Sequence, residues 1–235
     1  MTTDEVLAIA GVLLLMAWVN RNRLLQARFR TQRAKFIAAY AFPGGLRFKL
    51  DQAFPALSTE QTTMVIEGLR AWFLLVAANP RAKLGMPSKA VDTAWHEFIL
   101  LTKNYADFCD RAFGTFLHHV PHEGNATAQK DGLACTWGLG AGLLAGGAGA
   151  VAGAAMLSGR DLFGLDQRLG LPGGNSYEAT DFAALEKRYQ QMQSSSGGGS
   201  DSGGDSGGSS SDSDSGNDGG GGDGGGGGCG GGCGS

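Results

Sequence analysis

From Ser194 to Ser235 the chain contains only Gly, Ser and Asp, with one Asn and two Cys. Such a stretch has no apolar side chain to offset the entropy lost on ordering. Whatever folds must therefore lie in the roughly 190 residues before it, enough for one ordinary domain. The tail also carries six Asp and no base, so a formal net charge of -3 for the whole chain becomes +3 for the body. That balance is too weak to make nucleic acid an expected partner. The tail reads as a solvated acidic spacer.

The four cysteines divide between body (Cys109, Cys135) and tail (Cys229, Cys233). This is not the dense framework of a small secreted domain, and reduced thiols facing the cytosol fit better. Cys229 and Cys233 form C-x3-C in a glycine chain, which is too flexible to preorganise a metal site alone. A disulfide, or pairing with a partner's thiols, is the alternative.

The segment 6–19, "VLAIAGVLLLMAWV", has no polar side chain. As a helix it spans ~21 Å against a ~30 Å hydrocarbon core. Its start, "MTTDE", lacks the basic region of a secretory signal. Trp18, Arg21 and Arg23 suit an uncleaved anchor at an interface. From Asn20 to Leu50 there are eight Lys or Arg and no acid. The expectation is a single-pass anchor over residues 1–23, with the N-terminus out and the body cytoplasmic. A basic helix and connector (24–57) follows, and the Arg21–Lys35 stretch that leads into it would meet anionic headgroups. An apolar helix packed into the body, or a surface helix, is the competing reading.

The body predicts helices throughout. "FPGG" at Phe42–Gly45 breaks the first. Ser58 three residues before Gln61 is a capping box; Val65, Leu69, Trp72, Phe73 and Val76 follow at helical spacing until Asn79-Pro80. The next helix starts at Pro87-Ser88 and aligns Val91, Trp95, Phe98 and Thr102. Another carries Tyr105, Phe108, Cys109, Ala112 and Phe113 and ends at Gly114. After a short helix ended by Gly170 and Pro172, Asp181 caps the last one. No strand pattern is evident, so the fold class is all-α. The domain is expected over 58–193. Within it, 138–157 ("GLGAGLLAGGAGAVAGAAML") is an Ala/Gly-rich insertion or a second membrane segment with closely packed glycines.

All four histidines (His96, His118, His119, His122) lie between His96 and His122, together with Cys109. Zinc takes His nitrogen and Cys sulfur in fours, so His96, Cys109, His119 and His122 form a candidate metal set. Cys109 with His119 could alternatively serve as a nucleophile pair. The structural reading makes His96 a helix residue bonded to a carbonyl or to Asp92 or Glu97, and Cys109 a small buried apolar residue.

"VDTAWHEFILLTKNYADFCDRAFGTFLHH" resembles the core motif of the glycine-rich domain-containing protein-like family, over about residues 58–137 and more weakly 161–177. The pattern falls on Asp92, Trp95, His96, Tyr105, Cys109, Gly114 and His119. "ACTW" at Cys135 and "LDQRLGLPGG" are also similar. The family often has a second His two residues after the first; here Phe98 stands there. The resemblance implies a fold and no particular activity. The resulting expectation is a membrane-anchored helical interaction or scaffold protein with an unknown protein partner. The alternative is a zinc-dependent or Cys–His enzyme using His96, Cys109 and His119.

Overall fold

The computed structural model describes residues 3–119, 126–141 and 157–195. The regular elements among them are helical, with no strand, as the sequence predicts. They are α1 (Thr3–Ala39), α2 (Gly44–Ala53), α3 (Thr59–Ala78), α4 (Lys89–Leu100), α5 (Thr102–Phe113) and α6 (Ala126–Gly140). A 3-10 turn (Asp161–Gly164), α7 (Leu165–Arg168) and α8 (Ala179–Ser195) complete the order.

Local signals set most boundaries. Ser58 accepts from the Gln61 N–H while the Gln61 side chain accepts from the Ser58 N–H, a complete capping box at the start of α3. Asn79 closes α3 by donating its backbone N–H to Leu75 and Val76. Gly114 ends α5 at φ 73°, the left-handed region a side chain resists. Arg70 of α3 finishes α1, donating to the carbonyls of Ile37, Ala38 and Tyr40 at 2.7, 3.0 and 2.9 Å. The last carbonyls of a helix have no partner further along it; here the Ile37 carbonyl also takes the Tyr40 N–H at 3.3 Å.

Two boundaries differ from the sequence reading. Thr102 does not continue α4; the chain breaks at Leu101 (φ -83°, ψ 59°), and Thr102 opens α5 exposed. The last helix begins two residues before Asp181, whose carboxylate reaches back to accept the Glu178 N–H at 2.9 Å.

The core is aromatic and centred on α3. Phe73 meets Phe108 at 4.9 Å between ring centroids, and Tyr40 meets Phe108 at 4.7 Å. The core also takes in Ile37, Leu46 and Leu50, from the segment read as basic helix and connector. A second aromatic group, Trp137, Phe163, Tyr177 and Phe182, joins α6 to α8, with Trp137 and Phe182 stacked at 4.5 Å. Arg160 lies over the Trp137 ring.

The single-pass anchor is overturned: no helix among the described residues is long and apolar enough to cross a membrane. The apolar run of ~21 Å is too short for the hydrocarbon core, and Asp4, Glu5, Arg21 and Arg23 close it in on either side. Instead the helix continues without a break into the basic stretch, to Ala39. Its side chains from 11 to 32 are exposed, Asn22 being half-buried, and only the C-terminal turns pack on the body.

Most of the 138–157 insertion lies outside the described residues. Its flanks are described, and they touch. A Cβ on Gly140 would sit 2.9 Å from the Gly159 carbonyl carbon, and one on Gly159 would sit 2.7 Å from the Gly140 Cα. Gly140 and Gly159 thus lie backbone to backbone, and only glycines permit so close an approach.

The start of α4 is held from far along the chain. Asp166 on α7 is buried, and its carboxylate accepts from four donors. These are the Ser88 hydroxyl (2.6 Å) and the N–H groups of Lys89 (2.7 Å), Ala90 (3.1 Å) and Asn175 (2.9 Å). Negative charge suits a helix N-terminus, where the first N–H groups are unmatched. Asn175 and Tyr177 both donate to the Pro87 carbonyl alongside. Burial, with Asp166 and Asp181 nearby, pushes the Tyr177 phenol up to about 12.

Candidate functional site

With its N-terminus clamped, α4 presents Asp92 and His96 four residues apart, on one face. Trp95 between them turns inward and is buried. Its indole N–H donates to the Tyr105 hydroxyl of α5 at 3.0 Å, and that hydroxyl donates in turn to the Leu117 carbonyl. The left-handed Gly114 lets the chain double back after α5, so Leu117 reaches this bond. A Cβ at Gly114 would also strike the Arg33 guanidinium.

Two residues on, His119 lies against the Trp95 ring, centroids 4.5 Å apart. Its Nε2 is 2.9 Å from Asp92 Oδ1. The His96 ring is 4.2 Å from the His119 ring, and His96 Nδ1 is 2.8 Å from the Asp92 backbone carbonyl. Asp92, His96 and His119 each offer a ligand atom, and these atoms all lie within 4.8 Å of one another. The side chains of His96 and Asp92 are 50 % and 36 % exposed and that of His119 14 %, so the cluster opens to solvent on the His96 side.

The structure thus brings together two of the four candidate ligands, His96 and His119. Their third neighbour is Asp92, not Cys109. The physical reason lies in α5: Cys109 shares its inward face with Tyr105, Phe108 and Ala112 and is 1 % exposed. Burial pushes its thiol up, offset in part by hydrogen bonds with the Leu117 backbone and the Tyr105 hydroxyl. A protonated, enclosed thiol is a poor nucleophile. In the native chain at pH 8, iodoacetamide should leave Cys109 unmodified, and peptide mapping should find it alkylated only after unfolding. Labelling of Cys109 in the folded chain at the rate of a free thiol would contradict this environment. His118 packs on Phe116, centroids 4.9 Å apart, away from the cluster contacts. His122, Cys229 and Cys233 lie outside the described residues.

Every member of the Asp-Trp-His…Tyr…Cys…Gly…His pattern therefore has a place in one connected unit. A family model described as UCP032817-like matches residues 32–198. The chain belongs to the UCP032817-like family. The match starts within α1 and covers the whole motif, the Asp166 clamp and α8. The UCP032817-like match does not carry the glycine-rich domain-containing protein-like label suggested by the motif, and its description states no activity. No curated protein and no solved structure gives a match.

Sequence reasoning names Asp92 as a partner of His96 but misses it as a partner of His119, and misses Asp166 entirely. For Asp92 a signal was present, the i,i+4 spacing to His96. For Asp166 three of the four donors are 76 to 78 positions away, and no local pattern marks them.

Proposed function

We propose that this chain is a non-enzymatic helical interaction module, in which the body presents the N-terminal part of α1 as a contact arm to a protein partner. The observation that carries this reading is the exposure of that arm. Val12, Leu13, Leu14, Leu15, Met16 and Trp18 are each 56 to 72 % exposed, and Leu24, Leu25 and Phe29 are also exposed. Contiguous apolar surface of this kind marks an interaction site in a folded protein. Arg21, Arg23, Arg28 and Arg30 are exposed on the same stretch with no acid among them, which favours an acidic partner surface. The likeness of the Trp95–His119 motif to the glycine-rich domain-containing protein-like family supports a structural role for the motif, since that likeness brings a fold and no activity.

The test places a photo-crosslinking amino acid at Trp18 or Leu25 of the full chain in cells, with Gln190 on α8 as the control position. The expected result is one defined protein adduct from positions 18 and 25, absent from 190 and lost when Arg21 and Arg23 are changed to Glu. Adducts with lipid alone, or equal adducts from all three positions, would overturn the reading.

A further inference from the structure

We propose that Asp92, His96 and His119 form a three-ligand site for a divalent transition-metal ion, zinc being the ion it suits, with a coordination position left open to water. The inference is independent of the contact arm and concerns α4 and the segment after α5.

The donor set is two imidazoles and one carboxylate. Three protein ligands of this type plus water are the usual complement of an open zinc site, whereas closed structural sites use four, mostly thiolates. The atoms already lie within 4.8 Å of one another. Ligand atoms on one tetrahedral ion with bonds of ~2.0–2.2 Å lie ~3.3–3.6 Å apart, so the His119–Asp92 pair at 2.9 Å would open slightly and any wider pair would close. His96 is held through Nδ1, which lies 2.8 Å from the Asp92 backbone carbonyl and 3.5 Å from Asp92 Oδ2; with Nδ1 donating there, the lone pair is on Nε2, and a turn of the ring presents it to the ion. His119 is held on one side by the Trp95 ring and, through Leu117, by the Tyr105 hydroxyl. Its Nε2 faces Asp92 Oδ1 at 2.9 Å. In the metal-free chain a proton occupies that line; the ion would displace it and bind both atoms. The half-exposed His96 side supplies an entry path and room for water.

A plain Asp–His ion pair is the competing account, and the two differ in what zinc does. The test uses the full chain purified without a His tag and freed of metal by chelation, with zinc followed by titration calorimetry and elemental analysis. One zinc per chain is expected, with a raised Tm in its presence. His96→Ala is expected to weaken zinc by at least the ~10–100-fold typical of losing a residue that merely orients a ligand. Because His96 is half exposed, the metal-free Tm of that variant should match the parent, which separates lost binding from lost folding. Asp92→Asn should weaken zinc similarly. Cys229→Ser with Cys233→Ser should leave zinc unchanged. Absence of stoichiometric zinc would overturn the proposal, as would zinc retained in His96→Ala and lost in the double serine variant.

Discussion

Asp166→Ala should be the most damaging single substitution in this chain, lowering stability by ~4 kcal/mol or more. The carboxylate is 1 % exposed and accepts from four donors, three of them backbone N–H groups. Alanine leaves those donors without an acceptor in a space too enclosed to rehydrate freely. A buried donor left unpaired costs about 1–3 kcal/mol, and two or three of them are comparable to the ~5–15 kcal/mol that holds a domain together. Asp166→Asn retains one acceptor oxygen and should fall between, while Ser88→Ala, which loses a cap as well as a donor, should cost about 1 kcal/mol. Urea denaturation of the three variants provides the ranking. A midpoint for Asp166→Ala close to that of the parent would show that α4 keeps its start without the clamp.

Asp166 also marks the limit of what could be read locally. The capping box at Ser58, the stop at Asn79-Pro80 and the left-handed turn at Gly114 are all written within four residues of where they act. Each was legible because the backbone groups they satisfy belong to the same helix. Three of the four partners of Asp166 arrive only when α7 packs against α4, and a lone Asp in "LDQRLGLPGG" carries no sign of them. The candidate site divides in the same way. Asp92 and His96 share a helix face by spacing alone, but the return of His119 to that face depends on the turn at Gly114 and the Tyr105–Leu117 bond. Chemistry alone makes Cys109 a candidate ligand. The amphipathic spacing that makes α5 a helix also turns Cys109 inward with Tyr105 and Phe108, outside the Asp92–His96–His119 cluster. In α1 composition suggested a membrane, whereas length decides against one: fourteen apolar residues cannot span it, and the helix runs on as a basic arm.

The Tyr105→Phe variant probes the bond on which the site depends. Phenylalanine keeps the ring, which meets Phe98 at 5.3 Å between centroids, so packing survives and only the hydroxyl is lost. That hydroxyl is the acceptor for Trp95 and the donor to Leu117. Its removal strands a buried N–H and a carbonyl, at a combined cost of about 3 kcal/mol. The same change should weaken zinc, because His119 loses its anchor at Leu117, while Asp92 and His96 stay in place on α4. The pH profile gives an independent check. Burial raises the Tyr105 phenol above its ordinary 10.0. Its contribution to stability is thus complete below pH 10.0. As pH rises further, the unfolded chain ionises first, and the contribution drains away until the folded pKa is reached. The parent should lose ~1.4 kcal/mol per pH unit more steeply than Tyr105→Phe above pH 10, although Tyr40 and Tyr177, also raised, titrate in both. The gap between the two proteins should therefore be about 3 kcal/mol near neutral pH and narrower by roughly 1.4 kcal/mol at pH 11. A gap that stays constant across this range would mean that the phenol is solvated, and that His119 is positioned by something other than this bond.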